Sequence, residues 1–231
     1  MDTLVSYDLA DGVATLTMDD GKVNVMSLQM QQALHAAFDR AAADGAVVVL
    51  TGRTGVFSAG FDLATLNAGG AQAEEMARGG FALAGRVLAH PHPTVAVCTG
   101  HAVAMGAFLM FACDYRIGTA GPSKMVANEV AIGIPLPEVA VAILRSRLHP
   151  AALSRATMLA EVFTADNAVE AGWLDRVVPA EELLATAQAH ARSLAPVNNP
   201  AHAATKLRLR QPILDAIDAY LTSGASIVPN A

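Results

Sequence analysis

Only two cysteines, Cys98 and Cys113, occur in the 231 residues, and both lie among apolar neighbours. That scarcity excludes a disulfide-framed domain and points to buried thiols in a reducing compartment. Positive charge is in deficit: 15 Lys and Arg stand against 21 Asp and Glu, a formal charge of −6. Such a balance argues against general nucleic-acid binding. No apolar run is long enough to cross a bilayer, since the longest, Ala102–Cys113, is bounded by His101 and Asp114. The order of features that marks a signal peptide is not seen near the N-terminus, so a cytoplasmic protein without a membrane partner is expected. No short repeat or low-complexity segment stands out beyond an enrichment in alanine. What the chain does have is apolar content, 53% of residues, enough for one sizeable core.

Taken in order, Leu4–Leu9 and Val13–Met18 alternate around Asp11-Gly12, a hairpin signal. Ser27 is placed to cap a helix over Leu28–Ala42, and Asp44-Gly45 ends it. Ala46–Thr51 is a near-continuous apolar strand, the pattern of a sheet covered on both faces. Val56–Ala59 reads as a loop, Asn67–Ala73 as a glycine- and alanine-rich loop, and Glu74–Ala89 as a helix interrupted at Gly79-Gly80. Thr94–Thr99 and Tyr115–Thr119 are strands flanking a buried helix, Ala107–Cys113. Helices follow over Glu138–Arg147, Ala151–Leu159 and Thr164–Ala171, the last capped by Thr164 and closed by Gly172. Leu174–Val178 is a strand. Pro179 opens a helix to about Leu194, and His202–Leu221 is a helix broken or bent at Pro212. The class is α/β, with strand–helix units first and helices after.

Two stretches carry the chemistry, Gly52–Leu63 (GRTGVFSAGFDL) and Thr94–Asp114 (TVAVCTGHAVAMGAFLMFACD). Each runs from an apolar strand through glycine into a helical start. Helix N-termini present unpaired N–H groups at the positive end of a dipole. Two of them facing each other would aim a pair of backbone donors at one oxygen, the design of an oxyanion hole.

With VFSAGFDL, TGHAVAMGAFLMFACDYRI and FTADNAVEAGWLDRVVP in that order, the chain resembles the crotonases, the enoyl-CoA hydratase/isomerase superfamily, over nearly its whole length. The resemblance implies a spiral of repeated ββα units over residues 1–178, which holds an acyl-CoA site. A helical region over 179–231 would serve oligomer packing and site closure. It implies an acyl-CoA thioester as substrate, coenzyme A being part of the substrate and no separate cofactor, and a homotrimer or dimer of trimers. It puts the oxyanion donors on the N–H groups of Phe61 and Met105, the latter a departure from the usual glycine that narrows the pocket. Ala59, Phe61 and Leu63 match the adenine-contacting stretch, Ala64 replaces a frequent lysine, and Lys206 resembles a basic residue near the CoA phosphates.

At position 108 the family's hydratases carry glutamate; this chain has Phe108. The second family glutamate is matched by Glu129, beside Asn128. One carboxylate suits transfer of a proton from C2 to C4 of a 3-enoyl thioester, so the pattern resembles the Δ3,Δ2-enoyl-CoA isomerase branch. Asn128, Ile134, Phe108 and Glu138 would line the acyl pocket, and no metal is expected. Alternatives stay open: hydration or another crotonase reaction using Glu129 with Glu138, or acyl-CoA binding without catalysis. Blander roles compete as well. Glu129 would then be a solvated loop carboxylate, Glu138 a first-turn helix acid, Phe108 core packing, and His90-Pro91-His92 a turn.

Overall fold

The computed structural model describes residues 3–227. A hairpin of β1 (Val5–Ala10) and β2 (Val13–Met18) opens the chain. Asp11 and Gly12 both take positive φ, the conformation that makes Asp-Gly a tight hairpin turn. Next come α1 (Leu28–Ala43), β3 (Val47–Thr51), β4 (Gly55–Ser58), α2 (Leu63–Ala68) and α3 (Gly70–Leu88). The next turn of the chain supplies β5 (Thr94–Cys98), β6 (Gly100–Val103) and α4 (Met105–Ala112). A third supplies β7 (Tyr115–Thr119) and the two-residue β8 (Met125–Val126). Then follow α5 (Glu138–Arg145), α6 (Pro150–Met158), α7 (Ala165–Ala171), β9 (Arg176–Val178), α8 (Leu183–Ser193) and α9 (Pro200–Thr222).

The repeat is visible in the pairing. β3, β5 and β7 join one sheet in the order β1-β2-β3-β5-β7-β9, parallel throughout except at the hairpin. Their partners β4, β6 and β8 form a second, smaller parallel sheet. The chain therefore winds as a spiral, each turn giving one strand to each sheet. Every residue of β3 and β5 is buried, because both faces of the large sheet are covered. One face packs on α8 through Val47, Val49, Val95, Val97, Leu183 and Ala187. The other holds the main core, where α4 is buried on every side.

Four expectations are corrected. Val56–Ala59 is not loop: Gly55–Ser58 is β4, whose ladder with β6 shifts register between Val56 and Ser58. Asn67–Ala73 is not loop either, since α2 runs to Ala68 and α3 begins at Gly70. Nor does α3 break at Gly79-Gly80. A Cβ on Gly79 would fall 2.3 Å from Gln31 Oε1, and one on Gly80 2.5 Å from the Phe61 ring. These glycines admit neighbours, and packing overrides their low helix propensity. Finally, α9 is not broken at Pro212. The carbonyl that Pro212 leaves unpaired belongs to Arg208, an exposed residue with access to water.

The C-terminal helix is fixed by a charge cluster. Lys206 Nζ donates to Asp114 Oδ2 at 2.7 Å and to the His92 carbonyl at 3.1 Å. Arg210 pairs with Asp114 Oδ1 at 2.8 Å and donates to the Leu88 and Ala112 carbonyls. Burial opposes ionisation of Asp114, but the Lys206 and Arg210 charges outweigh it and hold the carboxyl below the usual range. Its stabilisation is therefore present above the ordinary aspartate pKa and lost as pH falls through the lower folded value. Asp114→Asn keeps the shape and strands two buried cations. It is expected to lower the unfolding free energy by about 3–5 kcal/mol, read from urea denaturation at neutral pH. A loss below about 1 kcal/mol would mean that the cluster behaves as a solvated surface pair.

Candidate active site

Two strand-to-helix turns meet at the centre of the molecule. In the first, Ser58 at the end of β4 is fully buried; its Oγ donates to the Asn24 carbonyl and accepts from the Gly60 N–H. Ser58 is thus a loop-shaping residue. Gly60 has φ of +86°, a conformation glycine adopts without penalty. Phe61 follows, and Asp62 caps α2 by accepting from the Ala64 N–H at 3.0 Å. In the second turn, Ala104 has φ of 49° and ψ of −123° and delivers Met105 as the first residue of α4. Among the described residues, neither the Phe61 nor the Met105 N–H has a partner.

The turns touch. A Cβ on Gly60 would fall 2.9 Å from the Val103 carbonyl oxygen and 3.3 Å from the Met105 nitrogen. A side chain there would occupy the space beside the second donor. Met105 itself is 0% exposed, its side chain lying in the core near Gly80. The expectation that it narrows the pocket is therefore corrected: the Met105 side chain points into the core and does not line it.

Glu129 follows β8 and heads a single 3₁₀ turn, Val130–Ile132, closed by Gly133 in the left-handed region. The residue is half-buried, yet its Oε2 is sealed from water and has no hydrogen-bond partner. Burial raises its pKa from the ordinary glutamate value to about 7. The pocket it lines also holds Ala59, Phe61, Leu63, Phe108, Asn128 and Ile134, so the fold gathers these sequence-chosen residues in one place. Glu129 is the one carboxylate among the described lining residues. Phe108, 1% exposed, stacks on Phe81 with ring centroids 6.1 Å apart, while Phe61 meets Phe81 edge-on. Leu63, 59% exposed, presents its apolar side chain toward solvent.

Two candidates lie elsewhere. Lys206 is 5% exposed and committed to Asp114, so in this chain its ammonium is absorbed by the core cluster. Glu138 is an exposed first-turn residue of α5 and does not line the Glu129 pocket. Conversely, Phe81, Leu66, Ile132, Pro137 and Ile227 line the pocket without having been singled out. Helical periodicity marks Phe81 only as a buried position, and nothing local connects Ile227 to Glu129. No group of three potential metal ligands exists among the described residues, at His90-Pro91-His92 or elsewhere. His90 is buried, which lowers its pKa to about 3, and it packs edge-on against Phe38.

Two unpaired amides, one carboxylate poised near neutrality and an apolar wall are the parts with which an enzyme holds an oxyanion and moves a proton. The chain belongs to the enoyl-CoA hydratase/isomerase family, whose model matches residues 8–227. It has the crotonase fold of that family. A Mycobacterium tuberculosis protein, called an enoyl-CoA isomerase in one structure and a probable enoyl-CoA hydratase in another, is 46% identical, with a TM-score of 0.91 over 96% of this chain and 97% of that one in the first. An enoyl-CoA hydratase from Mycobacterium ulcerans is 45% identical, with a TM-score of 0.91 over 94% and 96%. The human mitochondrial Δ3,Δ2-enoyl-CoA isomerase is 26% identical, with a TM-score of 0.88 over 95% and 91%. Relatives bearing either reaction name are thus similar to this chain, which is an acyl-CoA enzyme of the enoyl-CoA hydratase/isomerase family. No helix among the described residues is long and apolar enough to cross a membrane.

Gly60→Ala tests the contact between the turns. The positive φ alone is expected to destabilise the fold by roughly 1–3 kcal/mol, measured by thermal or urea unfolding. An unchanged midpoint would mean that the two turns are not held in this contact.

Proposed function

We propose that the protein isomerises 3-enoyl-CoA thioesters to 2-enoyl-CoA thioesters by a single-glutamate proton transfer. The observation that carries this reading is Glu129, the one carboxylate among the described lining residues of a mainly apolar pocket that also holds Phe61 and Asn128. The thioester oxygen sits between the amides of Phe61 and Met105. Glu129 takes the C2 proton, and the electron pair of that C–H bond passes into the thioester as an enolate. The same carboxyl then protonates C4 as the double bond settles between C2 and C3. No atom is gained or lost. Each oxyanion donor is worth about 10²–10³ in rate and the positioned base about 10²–10⁴.

Hydration needs a held water and, in two-carboxylate chemistry, a second acid–base group. By the resemblance, position 108 is where hydratases carry that group and this chain has Phe108, while Glu138 does not line the Glu129 pocket. Both observations favour isomerisation over the hydratase reading. The unpartnered Glu129 oxygen favours catalysis over binding alone, because an unneeded buried carboxylate carries a desolvation penalty with no return. We assign Ala59 and Leu63 to the adenine side of coenzyme A, and no phosphate contact to Lys206.

Purified protein is expected to convert a 3-enoyl-CoA without change of mass, and Glu129→Gln to lose about 10²–10⁴ of that rate. The base must be ionised, so log kcat/KM should climb as pH rises toward 7 and level off above it. Gain of one water on a 2-enoyl-CoA, with no double-bond shift in the 3-enoyl substrate, would overturn the isomerase assignment.

A further inference from the structure

The last described residues do not trail away from the fold. Arg78, on α3, donates from Nη1 to the Tyr220 and Leu221 carbonyls at 3.1 and 2.9 Å. From Nη2 it donates to the Ser223 and Ala225 carbonyls at 2.9 and 3.1 Å. One guanidinium thus satisfies carbonyls that the end of α9 leaves unpaired and bends the chain after it back over α3. One turn earlier on α3, Glu74 bonds the Ser226 hydroxyl. The next residue, Ile227, is half-buried and lines the pocket that contains Glu129.

Behind Ile227 lies a second cavity. It shares the Pro137 and Ile227 walls with the Glu129 pocket; Leu136, Val139, Ala216 and Ala219 give it apolar surface, and Glu138, Tyr220, Ser223 and Ser226 line it as well. The space on the Glu129 side is about 70 Å³, whereas that behind the partition is about 500 Å³. We propose that Ile227 is the partition that limits acyl-chain length, and that Arg78 is the positioning residue that seats it. This rests on the acyl-CoA reading of the Glu129 pocket. A short chain ends against the Ile227 side chain. A long chain requires either the strap to lift or the side chain to be removed, after which the two cavities are continuous and hydrocarbon gains buried surface.

The test uses the full-length protein with saturated acyl-CoAs of short, medium and long chain for binding, and the matching 3-enoyl-CoAs for turnover. Ile227→Ala is expected to raise the long-to-short ratio of both affinity and kcat/KM by about tenfold. Arg78→Gln should move the ratio the same way, chiefly through KM, and speed amide hydrogen exchange over residues 223–227; Arg78→Lys should move it less. An unchanged chain-length ratio in folded Ile227→Ala, in an enzyme that turns over enoyl-CoAs, would overturn the partition and leave the function standing. A shifted binding ratio in a protein that turns over no enoyl-CoA would support the partition and overturn the isomerase instead.

Discussion

The active centre depends on backbone meeting backbone at distances only glycine permits. Gly60 approaches the Met105 nitrogen, and a Cβ on Gly106 would fall 2.6 Å from the Ser58 carbonyl oxygen. A Cβ on Gly100 would overlap the Gly55 carbonyl outright. These approaches set β4 beside β6 in the small sheet and bring the end of one strand against the start of α4. Ala104, a non-glycine residue at positive φ, takes up the resulting geometry at the mouth of the helix. Two turns remote in sequence thereby present their N–H groups in one small region, which neither turn does alone.

Two carboxylates show how environment assigns a role. Asp114 is flanked by Lys206 and Arg210 and accepts from the Thr94 N–H, so its charge is retained and fastens α9 to the sheet. Glu129 has burial without a cation, so its proton is held to about pH 7. One anion is a structural tie and the other a group ready to exchange protons, and the difference lies wholly in their neighbours.

Helix α3 links packing to chemistry. Gly79 and Gly80 let Gln31 and the Phe61 ring approach, and Phe81 carries the aromatic contact on to Phe108 and Tyr220. Arg78 and Glu74 extend the same helix to the C-terminal strap. A pair of glycines that looks like a weakness in a helix is instead the recess into which the pocket wall fits.

Patterning alone determined the six strands of the large sheet, the Asp11-Gly12 hairpin, the Ser27 and Thr164 caps, and the buried helix after Val103, but not the strands of the small sheet. Each of those is a local property of propensity, capping or period. The glycine turns and Glu129 were legible as candidates because their motifs sit in family order. Only the tertiary structure decided that Lys206 serves the core, that Glu138 stands outside the pocket, and that Phe81 and Ile227 stand within it. Those facts arise from elements far apart in the chain closing on one another, and from which charges find partners when they do. Neither is written in the spacing of residues along a single segment.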